Sequence, residues 1–158
     1  MLRVWLSGAA ALALFAGIAW YLAPLQPNVL ALQLAFSPRA FAEVIHAWSA
    51  DDLLRYRAHL PYDVLLLLCY GSFGWLLAAR TGLFAERPVA WRRCAMWLLP
   101  LAATFDATEN GFHWWLTEVP RFGVAWVYGV AAACAAAKWL LLLAYVLAVL
   151  YTLDDGGD

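Results

Sequence analysis

The sequence is poor in charge. Only 13% of its 158 residues are Asp, Glu, Lys or Arg, whereas 66% are hydrophobic and the mean hydropathy is +0.71. Soluble domains typically carry a charged fraction of about 25%. An ordinary soluble protein is therefore excluded, and we expect the chain to have a lipid bilayer as its surroundings. The formal net charge is −1 and no long run of like charge occurs, so we expect no nucleic-acid partner.

Motifs of several enzyme and metal-site classes are also missing. The sequence has no glycine-rich phosphate loop, no nucleophile elbow and no H-E-x-x-H motif. Its three cysteines, Cys69, Cys94 and Cys134, form no C-x-x-C pair, and we interpret them as buried free thiols. We therefore expect neither a metal ion nor a cofactor.

Four long apolar segments are present, at about residues 4–23, 62–79, 94–116 and 123–152. A helix of about 20 apolar residues crosses the hydrocarbon core, where lipid offers no hydrogen-bond partner to an exposed backbone. The first segment exceeds the roughly 7 to 15 apolar residues of a signal peptide, and we interpret it as a retained span. The sequence thus predicts an all-α integral membrane four-helix bundle, with residues 1–158 as a single membrane domain.

The loop between the first two spans is predicted to carry two interfacial helices, at about residues 38–59. In FSPRAFAEVIHAW, Ser37 is a natural N-cap, Pro38 suits the first helical position, and the apolar residues fall on one helical face. A second helix is predicted to begin after a Ser49 cap and to end at Pro61. Two interpretations compete for this amphipathic loop: an anchor on the membrane surface, and a lid over a site.

Arginines near the ends of the spans predict the orientation. Five lie beside the N-terminus and in the loop after the second span, whereas four lie on the opposite side. Because cytoplasmic loops are enriched in Lys and Arg, both termini are predicted to be cytoplasmic.

The third predicted span contains a polar stripe. On a helix that advances about 100° per residue, Asp106, Glu109, Asn110 and His113 fall within one arc of about 100°. A carboxylate at the bilayer centre costs about 2.5 to 3.5 kcal/mol, so this stripe is expected to face protein. We predict Asp106, Glu109 and His113 as candidate acid/base groups and Asn110 as a binding group.

Lys138 lies at a matching depth in the fourth predicted span. Counted from the flanking charged residues, Lys138 and Asp106 are each near the middle of their spans. An ammonium at that depth is too far from the headgroups to reach them easily. We therefore predict an ion pair from Lys138 to Asp106 or Glu109.

The second predicted span adds Asp63 and Tyr70, which recur at helical spacing. Asp63 is expected to lie near His113 and to share a proton or a water molecule with it. Asn110, Lys138, Asp63, Tyr70 and Trp114 form the candidate binding set.

The segments LAFSPRAFAEVIHAW, HLPYDVLLLLCYG and LPLAATFDATENGFHWW resemble those of small, uncharacterised four-helix proteins of the bacterial inner membrane. The likeness covers about residues 32–115 and depends on the F-S-P, Y-D and D-x-x-E-N patterns. It implies a multi-pass location in the bacterial inner membrane and no particular activity. The architecture is also similar to the sterol-isomerase-like fold of emopamil-binding and sigma-2-like proteins, whose members place acidic residues in an intramembrane pocket.

Two functions compete at this point. The first is a pocket in which the acidic, His and Lys side chains bind a lipophilic small molecule or act on it by acid/base chemistry. The second is a non-catalytic membrane subunit or assembly protein whose buried polar network sets helix pairing. The sequence does not decide whether the protein is an enzyme. The expected partners are the lipid bilayer and the lipophilic molecule, and oligomerisation is left open.

Overall fold

A computed structural model describes residues 1–119, 121 and 123–154, and this part of the chain is helical without any strand. Within these residues, six helices follow one another: α1 (Leu2–Leu22), α2 (Val29–Gln33), α3 (Pro38–Ala47), α4 (Ala50–Arg80), α5 (Val89–Leu116) and α6 (Ala125–Asp154). The all-α class predicted from the apolar segments is confirmed. The short helix α2, which begins after an Asn28 cap, was not predicted.

Three helices, α1, α4 and α6, are long and apolar enough to cross a membrane. At about 1.5 Å per residue, the 28 residues of α5 also exceed the thickness of the hydrocarbon core. The carboxylates, amide and imidazole of α5 nevertheless reduce its mean hydropathy. Three of the four predicted spans therefore coincide with a helix of membrane-spanning length and composition, whereas α5 has the length alone.

The helix α4 runs without interruption through Pro61, so the prediction that a short helix ends there is wrong. A proline inside a helix costs about 3 kcal/mol because it removes one hydrogen bond and crowds the preceding turn. Residues on both sides of Pro61, including His59, Leu60 and Asp63, are buried in the protein. We infer that their packing outweighs the cost of the proline. The second predicted interfacial helix is consequently the first part of α4.

Both predicted N-caps are confirmed. The Ser37 hydroxyl accepts a hydrogen bond from the Ala40 amide at 3.2 Å, and α3 begins at the following proline. Ser49 and Asp52 form a reciprocal capping box at the start of α4. These caps satisfy amide groups that a helix leaves without partners, and they therefore determine where α3 and α4 begin.

The long helices pack side by side, with α4 in contact with both α1 and α5, and α5 in contact with α6. Glycine permits the close approach of α4 to α5. A Cβ added to Gly74 would lie 2.5 Å from the Cβ of Leu99, and one added to Gly71 would lie 3.3 Å from the Cβ of Ala103. The polar stripe of α5 is thereby enclosed between α4 and α6.

The three cysteines are free, as predicted, but they are not all buried. Cys134 is buried and Cys69 is half-buried, whereas Cys94 is exposed on the surface of the chain. The prediction of a buried thiol is wrong for Cys94, because this residue lies near the start of α5 on a side that the described helices leave exposed.

Candidate functional site

The candidate site is centred on an ion cluster between α5 and α6. The Lys138 ammonium lies 2.6 Å from Asp106 Oδ1 and 2.7 Å from Glu109 Oε2. All three residues are buried, and Glu109 is completely enclosed. Asp106 and Glu109 are three residues apart on α5, which brings both carboxylates to the same side of the helix. The predicted ion pair of Lys138 is confirmed, and it involves both carboxylates at once.

Within the described residues, only one of the two carboxylate oxygens of Glu109 has a hydrogen-bond donor. Its Oε2 lies 2.7 Å from the Lys138 ammonium, which has three protons and can donate to both Glu109 and Asp106. The other oxygen, Oε1, lies 3.8 Å from His113 Nδ1, beyond hydrogen-bond distance. Glu109 thus combines full burial with incomplete pairing, an arrangement that is costly and uncommon in native proteins.

Tyr70 and Asp63 of α4 each form a hydrogen bond with the polar stripe of α5. The Tyr70 hydroxyl donates to Asp106 Oδ2 at 3.2 Å, and the Asn110 amide donates to Asp63 Oδ2 at 2.5 Å. Asp63 was expected to share a proton or a water molecule with His113. Its hydrogen bond goes to Asn110 instead, because Asn110 presents its amide toward α4 one turn before His113.

The hydrogen-bond partner of His113 is Tyr56, a residue that the sequence analysis did not select. The Tyr56 hydroxyl and His113 Nδ1 are 2.6 Å apart, and each residue is only 1% exposed. His59 was also missed, and its Nδ1 contacts the backbone carbonyl of Tyr56. On a continuous helix Tyr56, His59 and Asp63 share one face, but this pattern is hidden when the helix is assumed to stop at Pro61.

The helix α3 covers this end of the site with its apolar face. The Phe41 ring makes edge contacts with His113 of α5 and Tyr128 of α6, at centroid separations of 5.6 and 5.1 Å. Trp48, directly after α3, packs against Tyr56 at 5.2 Å. The predicted amphipathic helix is present, and its apolar side chains are buried against protein.

Trp114 is not brought into the cluster. It follows His113 directly, and this step of about 100° turns its side chain away from the polar stripe. Its ring is half-exposed and lies beneath the Arg57 guanidinium, with 4.7 Å from the ring centroid to the guanidinium carbon. The other predicted site residues, namely Asp63, Tyr70, Asp106, Glu109, Asn110, His113 and Lys138, are all buried between α4, α5 and α6.

The charges of the buried cluster do not balance. Three carboxyl groups, from Asp63, Asp106 and Glu109, are accompanied by one ammonium, from Lys138. The cluster therefore holds surplus negative charge unless protons or a cationic ligand compensate for it. Carboxyl, imidazole, phenol and ammonium groups within one enclosed region provide acceptors and donors for proton transfer. Among the described residues, no three His, Cys, Asp or Glu side chains converge in a way that could hold a metal ion.

An open apolar groove lies on the opposite face of α5. Its volume is about 550 Å³, and it is lined by Ala107, Thr108, Gly111, Phe112, Trp115, Val124, Trp126 and Val127. None of these residues belongs to the buried cluster. The groove and the cluster are separated by the body of α5.

Comparison with known proteins gives one informative similarity. A curated protein of Methylibium petroleiphilum, named UPF0761 membrane protein, is 32% identical to this chain over 94 residues. The match covers 58% of the chain and 22% of the relative, so the chain spans less than a quarter of the length of the curated relative that it matches. No family model and no solved structure matches the chain. The comparisons thus support a membrane protein similar to a bacterial one, and they do not support the resemblance to sterol-isomerase-like proteins.

Proposed function

We propose that the buried cluster is an intramembrane site that binds a lipophilic small molecule, or acts on it by acid/base chemistry. The observation that carries this proposal is Glu109, which is fully enclosed and whose Oε1 has no hydrogen-bond donor among the described residues. A carboxylate of this kind needs an explanation, because ionisable groups in membrane segments are costly. A ligand that donates a hydrogen bond would complete its pairing.

In the enzymatic form of this proposal, Glu109 and Asp106 give and take a proton at the ligand. His113, one turn from Glu109 on α5, relays the proton through its imidazole. Lys138 and Asn110 stabilise negative charge that develops on the ligand. Tyr70 orients Asp106 through its hydrogen bond.

The ligand would reach the site beneath α3. Phe41 lies against His113, the member of the acid/base group nearest to the end of α5. Movement of α3 alone would uncover the imidazole without separating α4 from α5. This favours the lid interpretation of α3 over a role as a surface anchor only.

We also propose that α1, α4, α5 and α6 form a four-helix membrane bundle, with α2 and α3 at its outer surface. The contacts of α5 with both α4 and α6 support this arrangement, because they shield its polar stripe from lipid. We propose a location in the bacterial inner membrane, which the similarity to a bacterial membrane protein supports, and the arginine distribution favours cytoplasmic termini.

Native mass spectrometry of protein extracted in mild detergent tests the ligand proposal. We expect the wild type to retain a lipophilic mass and Glu109→Gln to lose most of it. Glu118→Gln is the matched control, because Glu118 is exposed and pairs only with Arg121 at 3.6 Å among the described residues. Equal retention by both variants, or an empty wild type in extracts from several lipid compositions, would contradict the proposal.

A second candidate function is a non-catalytic membrane subunit whose polar cluster determines helix pairing. The observation that favours it is the internal pairing of the cluster, since Lys138 contacts two carboxylates and Asp63 is bound to Asn110. Such a network would specify which helices pair and in which register. The groove on the far face of α5 would then contact lipid or a partner helix. An empty wild type in the mass-spectrometry test would favour this second function.

A further inference from the structure

The Tyr56 hydroxyl depends on a single hydrogen bond. Among the described residues its only side-chain partner is His113 Nδ1, at 2.6 Å. Three aromatic rings enclose the pair: Trp48 and His59 lie against Tyr56, and Phe41 lies against His113. The polar atoms of the pair therefore have to satisfy each other.

The chemistry of the two groups determines which one donates. If Nδ1 carried the proton, it would donate to the Tyr56 oxygen, and the phenol proton would have no acceptor in the described part of the chain. If Nδ1 carries no proton, one hydrogen bond satisfies both the phenol donor and the imidazole acceptor. In either arrangement one donor, the phenol O–H or the Nε2–H, has no partner among the described residues. An imidazole nitrogen is a stronger acceptor than a phenol oxygen, so the 2.6 Å contact favours the arrangement in which the phenol donates to Nδ1.

We infer that Tyr56 is a positioning residue that holds His113 in the Nε2–H tautomer and thereby leaves Glu109 Oε1 without a donor from the protein. His113 Nδ1 is 3.8 Å from Oε1 and would donate to it after a small shift if it carried a proton and were released from Tyr56. The phenol prevents this by occupying Nδ1. Oε1 remains an acceptor that only a bound molecule can use.

Together with the proposed function, on which this step rests, the assignment indicates the class of ligand. The ligand is a lipophile with a hydrogen-bond donor at one end, either an alcohol or a protonated amine. The surplus of carboxyl groups over ammonium groups around Glu109 is compatible with both. A lipophile of the same length without a donor would leave Oε1 unpaired.

Nitrogen-15 NMR of histidine-labelled protein in lipid nanodiscs tests the positioning role. The signals of His113 are identified as those that disappear in His113→Gln. We expect them to show a neutral ring with a protonated Nε2 and an unprotonated Nδ1 that accepts a hydrogen bond. Tyr56→Phe should shift the ring toward the Nδ1–H form, whereas Tyr70→Phe, which removes another buried phenol of α4, should not. An Nδ1–H or doubly protonated ring in the wild type would overturn the inference, even if Tyr56→Phe fails to fold. An unchanged ring in a folded Tyr56→Phe variant would overturn it as well.

Binding of three probes then separates this inference from the proposed function. Dodecanol, dodecylamine and dodecyl methyl ether have similar chains, but only the first two can donate a hydrogen bond. We expect the alcohol or the amine to bind at least tenfold more tightly than the ether, and Tyr56→Phe to reduce this preference. If the tautomer is as inferred and no probe binds, the positioning role stands and the proposed function fails. If the ether binds as tightly as the other two, the assigned ligand class is wrong.

Discussion

Removal of the Lys138 ammonium is the most direct test of the ion cluster. In Lys138→Met, the carboxylates of Asp106 and Glu109 would lose contacts of 2.6 and 2.7 Å while they remain buried. Breaking a buried ion pair by removing one partner typically costs about 3 to 5 kcal/mol, whereas single interhelical polar contacts in membranes average about 0.6 and reach about 1.7 kcal/mol. Because one ammonium serves two carboxylates, we expect the larger effect, a loss of about 3 kcal/mol in the free energy of unfolding.

The assay is reversible unfolding in mixed micelles, followed by the fluorescence of the ten tryptophans. Tyr145→Phe is the control on the same helix, because Tyr145 is buried and donates one neutral hydrogen bond, to the Gly74 carbonyl at 3.3 Å. Its loss should cost about 1 kcal/mol.

A triple variant completes the test. When Asp106→Asn and Glu109→Gln are added to Lys138→Met, no uncompensated charge of the ion cluster is left, and we expect at least half of the lost stability to return. Such recovery would show that the loss in Lys138→Met arises from uncompensated buried carboxylates. A loss for Lys138→Met no larger than that of the Tyr145 control would refute the reasoning, because the ammonium would then contribute no more than a neutral hydrogen bond.

Three further experiments test the helix packing, a hydrogen bond and a helix cap that position the site. Gly74→Ala should destabilise the protein by about 1 to 3 kcal/mol, because its methyl group would lie 2.5 Å from a leucine Cβ of α5. Gly111→Ala is the control and should not destabilise the protein, because no neighbouring atom lies within 4 Å of its added Cβ. Asn110→Leu should lower the free energy of unfolding by about 1 to 3 kcal/mol, since it leaves the Asp63 carboxylate without its hydrogen-bond donor. The same unfolding assay should show a smaller loss for Asp63→Asn. Ser49→Ala should cost about 1 kcal/mol through the lost capping box; a neutral effect in the same assay would mean that packing alone sets the start of α4.

The sequence was sufficient for the features that depend on local patterns. Apolar runs predicted the long helices, and Ser37 and Ser49 predicted the starts of α3 and α4, because a cap satisfies amides only three residues away. The depth of Asp106 and Lys138 followed from residue counting, since each residue of a helix adds about 1.5 Å. Their ion pair could therefore be predicted without knowledge of the packing.

Only the tertiary structure decided which polar groups are partners. It shows Asn110 bound to Asp63 and Tyr56 bound to His113, and it places Trp114 outside the cluster. Helical spacing determines the face on which a side chain lies, but a hydrogen bond also depends on the rotation and separation of the neighbouring helix. That separation depends on the glycine contacts between α4 and α5, which join residues distant in the sequence.

The amino-acid sequence by itself determined a helical membrane chain with carboxylates and an ammonium at one depth, because composition and periodicity act within single helices. The tertiary structure decided that α4 continues through Pro61, and this continuation aligns Tyr56 and His59 with Asp63. Local preference favours a break at a proline, whereas burial against α1 and α5 favours continuity. Since burial arises from residues far along the chain, no local pattern could predict which of the two would prevail.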